Sequence, residues 1–208
     1  LDAYIDGVEP EDVREYETLW WNPPIEAGLF EALYERGFRS VRIPITWNAH
    51  LGSDFVVDEA WMDHVQGIVD AALGSGLFVI INAHHDAWYA PFDDNEAQAS
   101  VGLRKLWQQI AERFGEYGER LIFESMNEPR LLGTENEFSG GTPSARAIIN
   151  RLNSAFVETV RSAGGKNGER YLLVPGYAAM PDYFTPGEFI LPDDDRLGIS
   201  MHMYAPFE

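Results

Sequence analysis

The residues best suited to chemistry lie at the end of one apolar segment. The apolar run over residues 121–126 is followed directly by Asn127 and Glu128, and Pro129 then ends the run. In parallel β/α architectures the chemistry is done at the carboxyl ends of the strands. A carboxyl group placed there can donate and accept protons, and an amide beside it can hold a sugar hydroxyl. The pair therefore predicts general acid/base chemistry of the kind that cleaves a glycosidic bond.

Arg42 is a second candidate, because it interrupts an aliphatic strand pattern. It alternates with aliphatic residues in the segment 40–45, so its side chain points away from the aliphatic face. A buried arginine needs acidic partners. Glu124 and Glu128 share one face of their own predicted strand, and either could pair with it. We expect Arg42 to point into the mouth of a barrel.

Imidazoles follow two further strand patterns. His84 and His85 come after the apolar segment 77–83, and His202 and Tyr204 are two positions apart. Because neighbouring strand residues point to opposite sides, His84 and His85 cannot easily share a metal ion, and we expect no metal. Strand-end imidazoles that bind sugar hydroxyls or hold a carboxylate fit better. His202 and Tyr204 can face one cavity, and each can donate a hydrogen bond to a carboxylate.

Several aromatic residues lie in or beside predicted loops that follow strands, outside the helical stripes. They are Trp20, Trp21, Trp47, Trp88 and Tyr89. Sugar rings present flat C–H faces that stack on aromatic rings, so such loops could line a saccharide cleft. Core packing is the alternative for each, and it is the favoured interpretation for Trp61 and Trp107.

Composition limits the possible functions. The 208 residues are 45% hydrophobic and allow one sizeable core. A net charge of −19 argues against nucleic acid or an anionic membrane as partner, because phosphates repel such a surface. The charge fits a neutral substrate. The chain has no cysteine, so it can form neither a disulfide nor a thiolate metal site. No run of about 18 apolar residues is present in the sequence.

Strand and helix patterns alternate along the chain. Strands are predicted at residues 40–45, 77–83, 121–126, 171–174 and 197–201, and helices at 58–73, 97–117 and 142–163. Strands separated by helices imply right-handed parallel crossovers. The candidates are an open doubly wound sheet and a (β/α)₈ barrel. No glycine-rich phosphate-binding motif follows a strand, which disfavours the nucleotide-binding version.

The set of motifs resembles glycoside hydrolase family 5, the cellulase-type (β/α)₈ barrels, and is most similar to its subfamily 4 endoglucanases and xyloglucanases. The segments that carry the resemblance are L-D-A at 1–3, E-T-L-W-W-N-P at 17–23, V-R-I-P-I-T-W at 41–47, N-A-H-H-D at 82–86, F-E-S-M-N-E-P-R at 123–130, V-P-G-Y at 174–177 and H-M-Y at 202–204. Their order matches the family's second to sixth strands.

The resemblance implies a role for each catalytic candidate. Glu128 would be the general acid and base, and Asn127 would hold the 2-hydroxyl of the sugar at the cleaved bond. Arg42, His202 and Tyr204 would set the ionisation and orientation of the nucleophile. Two carboxylates about 5 Å apart would give retention of configuration through a covalent glycosyl-enzyme.

The resemblance also implies the residues that bind substrate. His84 and His85 would contact the sugar of the first negative subsite or support Glu128. The further substrate-facing residues would be Trp20, Asn22, Trp47 and Trp88. No cofactor is implied, because acid/base chemistry with a carboxylate nucleophile needs none.

The barrel is expected to be incomplete in this chain. The family's nucleophile follows strand seven and a substrate tryptophan follows strand eight, whereas these 208 residues match strands two to six. A complete barrel takes about 250 residues. Glu188 and Glu208 precede and follow the sixth strand, and neither is expected to be the nucleophile. We expect one partial catalytic domain over residues 1–208, inactive as an isolated polypeptide.

Two classes of function follow. The first is a retaining endo-β-1,4-glucanase that acts on β-glucan and, by the resemblance, is secreted. The second is a glucan-binding protein that is catalytically incomplete, or a barrel completed by a second chain. Mannanases and xylanases of the same family use the same catalytic residues, so they remain alternatives within the first class.

Overall fold

Five parallel strands form the sheet of this protein. The computed structural model describes residues 25, 28–184 and 186–204. The strands are β1 (Ser40–Ile43), β2 (Phe78–Asn82), β3 (Leu121–Glu124), β4 (Leu172–Pro175) and β5 (Leu197–Ser200). They are hydrogen-bonded in the order β1-β2-β3-β4-β5, and every neighbouring pair is parallel.

This strand order decides between the two predicted architectures. Each strand lies beside the one that precedes it in sequence, whereas a doubly wound sheet reverses its order part of the way across. Sequential winding is the geometry of the (β/α)₈ barrel. The prediction of a barrel is confirmed, and the described sheet is an incomplete one. Within the described residues β1 and β5 are its two edges.

Helices cover the outer face of the sheet. They are α1 (Leu29–Glu35), α2 (Glu59–Gly74), α3 (Glu96–Arg113) and α4 (Pro143–Ser162). The predicted starts of α2 and α4 are confirmed, because Asp58 accepts a hydrogen bond from the Trp61 amide at 2.8 Å and Thr142 accepts one from the Ala145 amide at 3.1 Å. Among the described residues no helix combines the length and apolar character needed to cross a bilayer.

The core lies between the sheet and these helices. Trp107 of α3 packs against Phe123 of β3 at 5.2 Å between ring centroids and against Phe156 of α4 at 4.7 Å. Because side chains alternate along a strand, Glu124 lies on the opposite face from Phe123. Helix α3 ends at Arg113, earlier than the predicted end at residue 117, and Val101 on this helix is 51% exposed.

Buried polar contacts fix the carboxyl ends of β3 and β4. The Trp107 indole donates to the Ser125 carbonyl at 3.0 Å. The Ser125 hydroxyl donates to Asn153 of α4 at 2.9 Å, and the Asn153 amide donates to the Pro175 carbonyl at 2.8 Å. Each buried polar group is thereby satisfied. These contacts hold the segment that leads into residues 127 and 128.

Arg170 is buried at the opposite end of the strands. It is 1% exposed and donates to the carbonyls of Leu121 at 2.7 Å and Phe114 at 2.8 Å. Its guanidinium also lies over the Phe123 ring, 4.4 Å from the centroid. Burial lowers the pKa of Arg170 to about 10. The arginine ties the end of α3 to the start of β3.

Candidate active site

The Glu128 carboxylate lies just beyond the carboxyl end of β3 and is held by donors from the segment that follows β5 and from its own loop. Its side chain is 18% exposed. One oxygen accepts hydrogen bonds from His202 Nδ1 at 2.7 Å and from the Tyr204 hydroxyl at 3.0 Å. The other lies 3.5 Å from an Arg130 guanidinium nitrogen. The structure therefore brings together Glu128, His202 and Tyr204.

These donors lower the proton affinity of Glu128. Its pKa lies below the usual value of 4.5, first because of the hydrogen bond from His202, with Tyr204 and Arg130 acting in the same direction against the effect of burial. The hydrogen bond between Tyr204 and Glu128 raises the pKa of the Tyr204 phenol. In this arrangement Glu128 is ionised at neutral pH.

Arg42 pairs with Glu124 and not with Glu128. Its guanidinium lies 2.6 Å from one Glu124 oxygen and also donates to the Asn127 side-chain oxygen at 2.8 Å. The reason is position along β3. Glu124 lies within the strand, level with Asn82 of β2, whereas Glu128 lies four residues further along and beyond the strand. Of the two acidic partners considered for Arg42, the structure selects Glu124.

His202 and Tyr204 both contact the Glu128 carboxylate. The resemblance assigned them, with Arg42, to the nucleophile, but in the described residues both bind Glu128. Their position two residues apart places both side chains on one face, as predicted from the sequence.

His84 is neutral over the ordinary pH range. Burial lowers its pKa to about 4, and the neighbouring His85 and Arg42 charges act in the same direction. The Asn82 amide nitrogen lies 3.1 Å from His84 Nδ1. Because that amide is a donor, Nδ1 accepts and the ring proton is on Nε2. His85 is exposed, and its ring meets that of His84 edge to face at 4.4 Å.

Trp47 does not face the substrate, and its prediction as a binding residue is wrong. The side chain is fully buried, and its indole donates to the Asn82 carbonyl at 3.0 Å. The cause is the turn after β1, where the Trp47 amide binds an Asp86 oxygen at 2.9 Å and the ring folds into the core. Tyr89 is likewise only 5% exposed and therefore does not line a cleft.

The remaining residues that were considered from the sequence either pack against other side chains or lie outside the described residues. Trp88 is partly buried and packs edge to face on Phe55 at 5.4 Å. Trp20 and Asn22 lie outside the described residues, as do Trp21 and Glu208. Glu188 is ion-paired with Arg146 of α4 at 3.0 Å.

Arg130 and Asn82 were not singled out from the sequence, yet both contact the site. Arg130 contacts the Glu128 carboxylate and pairs with Glu137 at 3.0 Å. Asn82 is fully buried and donates to Glu124 at 2.8 Å. Both could have been predicted from their positions in the sequence, because Asn82 ends an apolar strand and Arg130 follows Glu128 by two residues.

The site combines the carboxylate of Glu128, the amide of Asn127 and two imidazoles at the carboxyl ends of sequentially wound parallel strands. This combination is typical of (β/α)₈-barrel glycoside hydrolases. Comparison with protein-family models narrows the class. The model described as cellulase (glycosyl hydrolase family 5) matches residues 1–208, and the chain belongs to this family.

Relatives and solved structures agree with this assignment. The chain is 42% identical over 200 residues to Endoglucanase B of Clostridium cellulovorans, which covers 94% of the chain and 46% of that protein. It is similar to a family 5 lichenase structure from a Caldicellulosiruptor species, with a TM-score of 0.88, 40% identity, and coverage of 92% and 55%. It is also similar to the structure of a broad-specificity endoglucanase from Ruminococcus champanellensis with bound cellotriose. The TM-score is 0.87 and the identity 41%, and the match covers 91% of this chain and 57% of that one. The chain spans about half the length of these proteins.

Proposed function

We propose that the complete protein is a retaining endo-β-1,4-glucanase with Glu128 as its general acid and base. The observation that carries the proposal is the mostly buried Glu128 carboxylate, held at the end of β3 by His202 and Tyr204. The names of similar proteins, which include endoglucanases and a lichenase, support β-glucan as the substrate class.

In the first step the protonated Glu128 gives its proton to the departing oxygen of the glycosidic bond. The bond between C1 and that oxygen breaks while a second carboxylate attacks C1 and forms a glycosyl ester. The Asn127 amide is suited to hold the 2-hydroxyl of the same sugar, because its nitrogen remains available as a donor.

In the second step the ionised Glu128 takes a proton from water. The water oxygen attacks C1, the ester bond breaks, and the nucleophilic carboxylate is released. Glu128 is thereby protonated again. Two inversions at C1 leave the configuration unchanged.

Glu124 is unsuited to be the nucleophile. It is 1% exposed, and both its oxygens accept hydrogen bonds within the barrel. We propose that the nucleophile is a glutamate in the remainder of the complete barrel. Its negative charge near Glu128 would raise the pKa of Glu128, which a general acid at neutral pH requires.

We further propose that the protein is secreted. Its proposed substrate is a polymer, and a polymer is accessible only to an enzyme outside the cell. Detection of the protein in culture medium, with a signal sequence in the full coding region, would support this proposal.

The test is hydrolysis of barley β-glucan, xyloglucan, carboxymethyl-cellulose and mannan by the complete protein, compared with its Glu128→Gln variant. We expect cleavage of the β-1,4-glucans with retention by ¹H NMR, and a loss of kcat/KM of about 10²–10⁴-fold in the variant. Glu158→Gln removes an exposed carboxylate paired with Arg104 and should leave activity unchanged.

Three outcomes would contradict the proposal. Full activity in Glu128→Gln on natural substrates would remove Glu128 from its role. Activity confined to mannan would indicate a mannanase. Binding of glucan without turnover by the complete wild-type protein would indicate the glucan-binding alternative.

A further inference from the structure

We infer that Glu124 is a positioning residue that acts through Arg42 to fix the side chain of Asn127 with its amide nitrogen toward the ligand. The inference rests on the proposed function, in which Asn127 contacts a sugar hydroxyl. Glu124 itself touches neither substrate nor reacting atoms.

The Glu124 carboxylate is held by donors from three other strands. One oxygen accepts from Arg42 of β1 and Asn82 of β2, each at 2.8 Å, and the other accepts from the Ser200 hydroxyl of β5. The carboxylate is 1% exposed, so water does not compete for these contacts. Its position is therefore fixed by the barrel itself.

Arg42 transmits this position to Asn127. Its guanidinium contacts Glu124 through two nitrogens, at 2.8 and 2.6 Å, and one of them also donates to the Asn127 Oδ1 at 2.8 Å. A guanidinium carries only donors, so the Asn127 atom facing it must be the oxygen. The hydrogen bond from Arg42 therefore turns the Asn127 oxygen toward the guanidinium and the Asn127 nitrogen away from it.

Asn127 then has only its amide nitrogen to offer a ligand. Its backbone is anchored by a 2.9 Å hydrogen bond to the Ala83 carbonyl, and the residue is 3% exposed. Among the described residues no acceptor is hydrogen-bonded to the side-chain nitrogen. A sugar hydroxyl oxygen can accept from it.

Removal of the Glu124 charge should release Arg42. The Arg42 side chain is 28% exposed and forms its one ion pair within the described residues with Glu124. Once Arg42 is free to move, the Asn127 amide can rotate and present its oxygen instead. Hydrogen bonds to the 2-hydroxyl strengthen in the transition state of glycoside hydrolysis. The consequence should therefore fall on kcat more than on KM.

The test is Glu124→Gln in the complete protein, assayed on an aryl β-cellobioside and on its analogue lacking the 2-hydroxyl of the sugar at the cleaved bond. We expect kcat on the normal substrate to fall about 10–100-fold with KM little changed. On the analogue the loss should be under about 3-fold, because the contact that Glu124 protects is already missing. Equal losses on both substrates would mean a general structural role and would overturn the inference.

Glu188→Gln is the matched control, because it also replaces the acid of an arginine–glutamate pair, outside the site. It should change neither assay. A crystal structure of the Glu124→Gln protein tests the inference without turnover, and we expect the Arg42–Asn127 contact to be lost. An unchanged contact overturns the inference even if the proposed function holds. Failure of the wild type to cleave glucan would refute the proposed function. In that case the Arg42–Asn127 contact in the Glu124→Gln structure alone decides whether Glu124 positions Asn127.

Discussion

Three donors surround the Glu128 carboxylate, and all of them favour its ionised form. His202, Tyr204 and Arg130 each lower the pKa of Glu128. A general acid must hold a proton at working pH, so the proposed mechanism needs an opposing influence. In the proposed mechanism the charge of a nucleophilic carboxylate would supply it. The catalytic pKa of Glu128 would then be a balance between His202 on one side and a second acid on the other.

Replacement of His202 should shift that balance upward. In His202→Ala the carboxylate loses its strongest donor, the ionised form is less stabilised, and the pKa of Glu128 rises. The protonated acid then persists to higher pH. We expect the alkaline limb of the kcat/KM profile of the complete protein to move to higher pH.

His64→Ala is the control for this experiment, because His64 is exposed on α2 and should leave the limb in place. An alkaline limb that stays fixed or moves to lower pH in His202→Ala would contradict the assignment of the limb to Glu128.

At the scale of elements, the loop between β3 and α4 is held by Tyr177. The Tyr177 hydroxyl accepts from the Leu131 amide at 3.0 Å and donates to the Asn136 carbonyl at 2.8 Å. Its ring packs against Gly141, where φ is +67° and a Cβ atom would lie 2.2 Å from the ring. The packing of the loop that contains Glu128 thus depends on a glycine at position 141.

Gly141→Ala should destabilise the protein by about 2–3 kcal/mol. The new methyl group clashes with Tyr177, and alanine is strained at this φ. Gly118→Ala is the matched control, since a Cβ there meets nothing within 4 Å, and its effect should stay within about 0.5 kcal/mol. Urea denaturation measures both. Equal midpoints for the two variants would contradict the packing at Gly141.

The elements themselves could be predicted from the sequence, because capping residues and apolar periodicity are local signals. Asp58 and Thr142 mark the starts of α2 and α4 for this reason. The position of Trp47 could not be predicted, since it depends on a turn closed by Asp86, almost forty positions away. The choice of Glu124 over Glu128 as the partner of Arg42 depends on strand length, which apolar patterns define only approximately.

At the scale of the whole molecule, the acidic composition makes stability sensitive to low pH. The carboxyl pKa values of Glu96, Glu128 and Asp194 are all lowered, the first and last mainly by hydrogen bonds from arginine. A lowered folded pKa stabilises the protein above the unfolded value. That stabilisation is lost as pH falls through the folded pKa. The free energy of unfolding should therefore decrease below about pH 4.5.

Asp194→Asn isolates one part of this effect. Asp194 forms a two-point pair with Arg161, at 2.7 and 2.8 Å, and its side chain is 12% exposed. We expect the variant to be about 1 kcal/mol less stable at pH 7 and equal to the wild type near pH 2. Glu158→Gln, which breaks an exposed pair, should change little at either pH. A difference between Asp194→Asn and the wild type that persists at pH 2 would show that the ion pair is not its source.

The winding order of the sheet was predicted only as one of two alternatives. Periodicity defines strands and helices, but the order in which strands pair depends on contacts between distant segments. The resemblance to a known family resolved the choice, because its motifs follow the succession of strands.

The buried indole of Trp107 has a further consequence. Its N–H is hydrogen-bonded to the Ser125 carbonyl, three residues before Glu128, and the N–H of Trp47 is hydrogen-bonded to the Asn82 carbonyl at the end of β2. In heavy water each indole proton can be replaced by deuterium only when its own strand end opens. Two resolved NMR resonances therefore report separately, without any label or substitution, how often the two neighbouring strand ends come apart.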